Sequence, residues 1–487
     1  MTLVPQRHTI DRKFAATGNA TNTHQPCLFS SRRATNRQLL RLLLMVVVLL
    51  GCGTNMAPAR GETEGRLPSI DAGAQTRGGV ADNASIVIVS NLADGGQGSL
   101  RHAIEMVGAR IVVFEVAGVI WLKSDLTISS PFITVAGQTA PSPGITLRGG
   151  KLLVKTHNVV IQHIAVRPGA SIYPEVNRNR DAIAIYGCTD CREPAQDVRL
   201  ENVSASWATD EVIGTWGKTL TRVTVRNSII SEALNEAGHP KGAHSMGLLI
   251  GQYVQSVAVA GNLFASNMRR NPVISKGASA IVVNNFIYNP GREAIHFYRG
   301  PLIRASVIGN VVKRGPSSKK KLVALDVPKS LREKSAGSLI YARGNLCCTG
   351  QKSGSVLDAP DLNLLSYAPA RTSAWKTLPA DAVWNWVRRY AGKRPNDRDL
   401  IDKRIINDVE TGSGRIINHQ EDSAGPLVLT TNTHRLELPS EPLAIVDDSG
   451  GLRRIEVWLC AKHLEVGGPP TPECPKVLDL DQDKQSQ

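Results

Sequence analysis

VTVRNSII (223–230), VAVAGNLF (257–264) and IVVNNFIY (281–288) share one layout: a run of alternating apolar residues, a break at Asn or Gly, and a second short apolar run. The same layout recurs in VVIQHIAV (159–166), VRLENVSA (198–205), SVIGNVVK (306–313) and IYARGNLC (340–347). The breaks fall at His163, Asn202, Asn227, Gly261, Asn284, Gly309 and Gly344, at spacings of 39, 25, 34, 23, 25 and 35 residues. A base period near 23–25 residues, with loops inserted in some repeats, is the signature of a β-solenoid. One coil cannot bury its apolar face alone, so coils stack and share an elongated core. Asn and Gly suit a left-handed backbone at the bend, and Asn side chains can hydrogen-bond to one another up the stack. A β-sandwich would instead place hairpin turns about every 8–12 residues.

A solenoid needs capped ends. GSLRHAIEMVG (98–108) has apolar residues at 100, 103, 104 and 107, which predicts a helix capped by Ser99 in front of the strand ARIVVFEV (109–116). DAVWNWVRRY (381–390) and RDLIDKRIINDVETGSG (398–414) predict helices lying across the last coils, the second closed by Gly412. The chain is thus divided into a targeting segment (1–52), a linker (53–84), the solenoid (85–365), a helical segment (366–420) and a Pro/Gly-rich tail (421–487) expected to be irregular. The run KRGPSSKKKLVALDVPKSLREKS (313–335) interrupts the solenoid with eight basic and two acidic residues and reads as a solvated loop, with a dedicated substrate arm as the alternative.

The 487 residues are 42% hydrophobic but only 5% aromatic, enough apolar mass for a large core and rich in β-formers. The net charge of +15 suits a polyanionic partner: nucleic acid, an anionic membrane surface or an acidic polysaccharide. RRATNRQLLRLLLMVVVLLGC (32–52) discriminates among them. Its apolar run is too short to span a bilayer and suits the core of a signal peptide, so the chain is expected to be exported. LLGC resembles a bacterial lipobox, which makes Cys52 a candidate for lipidation; ordinary cleavage without a lipid is the alternative. A membrane contact would then come only through that lipid. Export argues against nucleic acid, as does the lack of a basic motif interleaved with aromatics. It also makes Cys188–Cys191 and Cys460–Cys474 the expected disulfides.

In a solenoid the core is structural and function sits on the lengthened loops. Three stand out: YPEVNRNRDAIAIYGCTDCREPAQ (173–196), SASWATDEVIGTWG (204–217) and EALNEAGHPKGAHSMG (232–247). If neighbouring coils bring Asp181, Asp210 and Glu211 together, they form an all-oxygen cluster suited to a hard cation such as Ca²⁺. Solvated acids paired with Arg178 and Arg180 are the plainer alternative.

GGQGSLRHAIEMVGARIVVFEVAGVIWL, RDAIAI, SWATDE, HSMGLLIG, RRNPVISKG and VVNNFIYNPG follow one another in an order that resembles the pectate lyases, polysaccharide lyases of family one. The likeness runs from about Ser85 to Tyr298, with a weaker echo in RPNDRDLIDKRIINDVETGSG. It implies a right-handed parallel β-helix and a Ca²⁺-assisted β-elimination on polygalacturonate, by a monomer acting on acidic polysaccharide. It also implies that Arg270, first Arg of an R-x-P-x-x-R motif, is the base, and that Asp181 and Asp210 are calcium ligands. Arg269 then reads as a surface or substrate contact. The chain departs from the family pattern at Gly214, Met246 and Ser275, which stand for an acid, a substrate-binding Lys and the second Arg; Glu211, Lys241, His244 and Lys276 are the candidates to compensate. Two other readings remain open: a non-catalytic solenoid that binds acidic glycans, and a hydrolase using Asp210 and Glu211, which adjacent strand positions disfavour.

Overall fold

The computed structural model describes residues 70–71, 73–188, 194–298, 300–331, 337–348, 368, 370–371, 376–424, 430–446 and 451–471. The expected signal peptide, Cys52, Cys191 and Cys474 lie outside them.

Successive turns of chain contribute strands to three sheets, of ten, ten and eight strands, and strands one coil apart pair in parallel; the tenth strand of the second sheet, Asn432–Thr433, comes from the tail and pairs antiparallel. In one coil Thr221–Arg226 joins the first sheet, Ile229–Ser231 the second and Met246–Ile250 the third. The result is a right-handed parallel β-helix. Val, Ile, Leu and Ala from all three sheets fill its axis, as at Val223, Val225, Ile230, Leu248 and Ile250, none of which reaches solvent. Parallel stacking suits such runs because both faces of many strands are covered.

The seven break positions all lie at the bend between the first and second sheets, with φ of 49–67°. Four of them are non-glycine residues held in the left-handed region, and the next position explains the cost. Asn262, Asn285, Asn310 and Asn345 form a buried ladder in which each Nδ2 donates to the next Oδ1 at 2.9 Å. The oxygens also accept backbone N–H groups, so that Asn285 receives Asn262 N and Asn310 receives Asn285 N, each at 3.0 Å. Each such bond contributes about 1 kcal/mol net. The bend residues themselves turn outward. Asn202 donates to the carbonyl of Tyr390, and Trp386 donates to Asn227 Oδ1.

Those contacts seat the helices. α1 (Leu100–Glu105) begins at Ser99, whose hydroxyl accepts from His102 N, and it covers the amino-terminal end of the core. α2 (Ala380–Tyr390) and α3 (Leu400–Thr411) pack on the outer face of the second sheet through Val383, Val387, Ile401 and Ile405. Gly412 ends α3 at φ 73°. Arg167 is fully buried and reaches Asp399 Oδ2 and Asp402 Oδ1 of α3, each at 2.7 Å, while Lys393 Nζ lies 3.0 Å from Asp399.

Three expectations need correction. The tail 421–487 is not irregular throughout: Arg454–Glu465 forms α4, which buries Ile455 and Leu459. His463 of α4 hydrogen-bonds buried His163 at 2.7 Å. Sequence pattern hid this helix because its apolar residues, such as Ile455, Val457, Trp458, Leu459 and Leu464, are not gathered on one face and Pro/Gly residues flank it. The linker is not free either, since residues 73–75 bond along the first sheet to Ser256, Thr224 and Asp197. Nor is 313–335 simply solvated. Leu325–Asp326 adds the last strand of the third sheet, and Leu322, Ala324 and Val327 are core. Cys188 and Cys460 are disulfide-bonded, and Cys347 is bonded to Cys348.

Candidate active site

The third sheet carries the site. Its relevant strands are β1 (Ile183–Tyr186), β2 (Glu211–Trp216), β3 (Met246–Ile250), β4 (Val273–Ile274) and β5 (Ile295–Phe297). Register aligns Ile183 with Ile213, Glu211 with Met246, and Met246 with Arg269. Residues far apart in sequence therefore meet along the edge where these strands begin. The carbonyls of Arg269 and Arg270 accept from Gly247 N and Leu248 N, which fixes the arginine pair against β3.

One oxygen from each of Asp181, Asp210 and Glu211 lies within 4.8 Å of the others. Glu211 N donates to Asp181 Oδ1 at 3.3 Å. Burial, reinforced by Asp210, pushes the Asp181 carboxyl up to about 8, against the pull of Lys151 and Arg270. Such crowding of carboxylates fits a divalent cation bound through oxygen. Gly214 adds to the fit, since a Cβ there would stand 2.6 Å from Asp181 Oδ2. Its bareness leaves the space that the Asp181 carboxylate occupies. Gly214→Ala is expected to displace that carboxylate and weaken Ca²⁺ binding about tenfold, the lower end of the effect of disturbing ligand support. Unchanged affinity by calorimetry would count against Asp181 as a candidate ligand.

Arg270 forms an ion pair with Glu211, and its side chain is only 18% exposed. It adopts φ 59°, in the left-handed region where a non-glycine residue is strained. Burial lowers the guanidinium pKa, while Asp210, Tyr298, Asp181 and Glu293 oppose the shift. A buried, strained arginine facing a carboxylate cluster is an arrangement that a solvated turn would not maintain.

A second group, Asp210, His239 and His244, also has metal-ligand atoms within 4.8 Å of one another. Its hydrogen bonds exclude His239 as a ligand. His239 Nδ1 accepts from Lys241 N at 3.1 Å, and Nε2 lies 2.9 Å from the Arg178 carbonyl, so Nε2 carries the proton and neither nitrogen is available. His239 instead stacks on His244 at 3.9 Å between ring centroids, and His244 Nε2 meets Asp210 Oδ1 at 2.8 Å. His244, expected as a substrate contact, is buried behind Asp210 and orients it.

The remaining candidates scatter. Arg269 pairs with Glu293 at 2.5 Å, and Lys241 is exposed on its loop. Lys276 lies at the opposite edge of the sheet, its Nζ 5.8 Å from the Tyr253 ring centre. Met246 and Ser275 are buried. Sequence reasoning missed Glu293 and Tyr298; both sit in NPGREAIHFYRG (289–300), one coil beyond the arginine motif, and only the coil register could have found them. A cavity of about 430 Å³ lies elsewhere, beside the first sheet, and its Glu201 is already paired with Arg199 and Arg226. Its position on another face and its neutralised charges make the third sheet the better site.

A curated protein of Aspergillus fumigatus described as probable pectate lyase C is 30% identical over 367 residues, covering 72% of this chain and 79% of its own. The chain belongs to the pectate lyase family. The corresponding protein of Aspergillus flavus is 29% identical over 353 residues, covering 70% of this chain and 76% of its own. No protein-family model matches the chain. The solved structure of the major allergen from cedar pollen aligns over 66% of this chain and 91% of its own, at 17% identity and a TM-score of 0.48, a likeness too low to argue from. In this chain Arg270 is flanked by Glu211, Tyr298 and the His244-backed Asp210.

Proposed function

We propose that this member of the pectate lyase family is an exported lyase that cleaves pectate, polygalacturonate or a related uronate polymer by Ca²⁺-assisted β-elimination. The observation that carries the reading is the contact of Arg270 with the Asp181–Asp210–Glu211 cluster. Ca²⁺ held by those carboxylates would neutralise the uronate carboxylate and acidify the adjacent C5 proton. Arg270 is the base that takes that proton. The C5–H electron pair then becomes the C4=C5 double bond, the C4–O bond breaks, and the departing sugar oxygen is protonated from solvent. Guanidinium is normally charged, so burial must favour its neutral form while the three acids are engaged elsewhere. His244 holds Asp210 in place, and Glu293 keeps Arg269 away from the reacting atoms. Export is supported by the disulfide-bonded cysteines, which suit an oxidising compartment, with the product either released or held by a lipid on Cys52.

The test is ultraviolet absorbance of unsaturated product from polygalacturonate, with Ca²⁺ and with chelator. Product only with Ca²⁺ is expected; none from any uronate polymer would overturn the lyase reading. The Asp181 shift also sets a sign. Its proton must leave before Ca²⁺ binds, so affinity should rise with pH up to about 8 and level off above it. Calorimetric titrations between about pH 6 and pH 9 check this; an affinity flat across that range would exclude Asp181 as a ligand.

A further inference from the structure

The same sheet has a second edge, where its strands end, and the side chains there follow a different pattern. Tyr186 and Trp216 are register partners on adjacent coils and are 39% and 46% exposed. Ile183 and Ile185 point inward, so Tyr186 lies on the outer face of β1. Trp216, Tyr253 and Lys276 each lie against a glycine of the following coil. A Cβ at Gly251 would come within 2.9 Å of the Trp216 ring, and one at Gly277 within 2.4 Å of the Tyr253 ring. A Cβ at Gly300 would meet the Lys276 stem at 2.7 Å. These glycines leave room for the two rings and the stem against the next coil.

Charge completes the pattern. Lys218 Nζ and Lys276 Nζ lie 5.5 and 5.8 Å from the Tyr253 ring centre. Among the described residues, no salt bridge engages either lysine. The edge therefore offers aromatic faces and ammonium groups together over at least four coils, spaced about 4.8 Å apart. An uncharged apolar partner would not need the lysines, and a small anion would not need the rings. A polymer of charged pyranoses needs both: its C–H faces lie on aromatic rings, and its carboxylates meet ammonium groups.

We infer that Tyr186, Trp216, Tyr253, Lys218 and Lys276 form a second, non-catalytic binding ridge for an acidic polysaccharide strand. The inference rests on the proposed uronate substrate and deepens it. Glu211 and Trp216 stand at opposite ends of β2, about 16 Å apart at ~3.3 Å per residue. The ridge therefore holds a strand beside the reacting one rather than the bond being cut, and keeps the enzyme on a polymer between cleavages.

The test is electrophoretic retention of the full-length protein, Trp216→Ala and Lys218→Glu in gels containing polygalacturonate, highly methyl-esterified pectin or dextran sulfate. Each variant is expected to lose retention by polygalacturonate about two- to tenfold, the range for one ring or ion contact. Wild type should be retained less by the esterified polymer, which lacks the carboxylates. Unchanged retention of both variants, with wild-type thermal melting, would overturn the ridge. So would dextran sulfate retaining wild type and variants as polygalacturonate does, because bare charge would then explain binding. The two variants alter different chemistries, so misfolding of one leaves the other decisive. Failure of the lyase reading shows separately, as absence of unsaturated product from wild type.

Discussion

Arg270→Ala is expected to lower turnover on polygalacturonate by about 10²–10⁴-fold, the usual worth of a positioned base, and at the same time to tighten Ca²⁺ binding. The two effects have opposite signs for one reason. The guanidinium lies against Glu211 and near Asp181 and Asp210, the acids that would hold the cation. On the proposed mechanism the charged guanidinium would compete with Ca²⁺ for those carboxylates, and the neutral one would take the C5 proton. A residue that merely held the acids in place would lose both properties on removal. Product formation by ultraviolet absorbance and affinity by calorimetry therefore separate the roles. Loss of turnover with stronger Ca²⁺ binding supports the base, whereas parallel loss of both reduces Arg270 to a structural part. The backbone offers a control. Because Arg270 sits at φ 59°, Arg270→Gly relieves a strain of about 1 kcal/mol and should match the alanine variant in activity while melting no lower.

The solenoid was legible because its bends force residue choice. His163, Asn202, Asn227, Gly261, Asn284, Gly309 and Gly344 are all left-handed, and Asn and Gly are the residues that tolerate that region best. The Asn ladder was legible as a tendency, and its place one residue after the bend became clear only from the stacked coils. Asp181, Asp210, Glu211 and Arg270 could be named from chain order, yet their meeting depends on a register that pairs Glu211 with Met246 and Met246 with Arg269. Lys241 and Lys276 show the limit of charge without register: one is on an exposed loop, the other across the sheet. The bond between His244 and Asp210 was not legible because Asp210 lies on another coil, and no local pattern announces a contact between coils. Helix α4 was lost for a related reason, since its partner His163 lies 300 residues earlier.

The same dependence on distant partners makes Arg167→Met the substitution with the largest expected effect on stability, about 3–5 kcal/mol. Arg167 bonds Asp399 and Asp402 with no access to solvent, and its loss leaves two buried carboxylates with Lys393, which pairs with Asp399, as the nearby cation. Burial pushes the Asp399 carboxyl up, but Arg167 and Lys393 more than offset it and hold the group well below the usual carboxylate range. A depressed folded pKa means that stability is fully present above the unfolded value, about 4, and is lost as pH falls below it. The gap between wild type and Arg167→Met should accordingly be widest near neutral pH and narrow in acid. Denaturant midpoints at a series of pH values measure it, and a gap that stayed constant into acid would mean that lost packing, not the ion network, sets the cost. The network joins the second sheet to α3, and among the described residues no bond of Arg167, Lys393, Asp399 or Asp402 reaches Asp181, Asp210, Glu211 or Arg270. Turnover per folded molecule should therefore survive, so a variant that lost turnover in proportion to stability would show that the helical segment also shapes the Arg270 site.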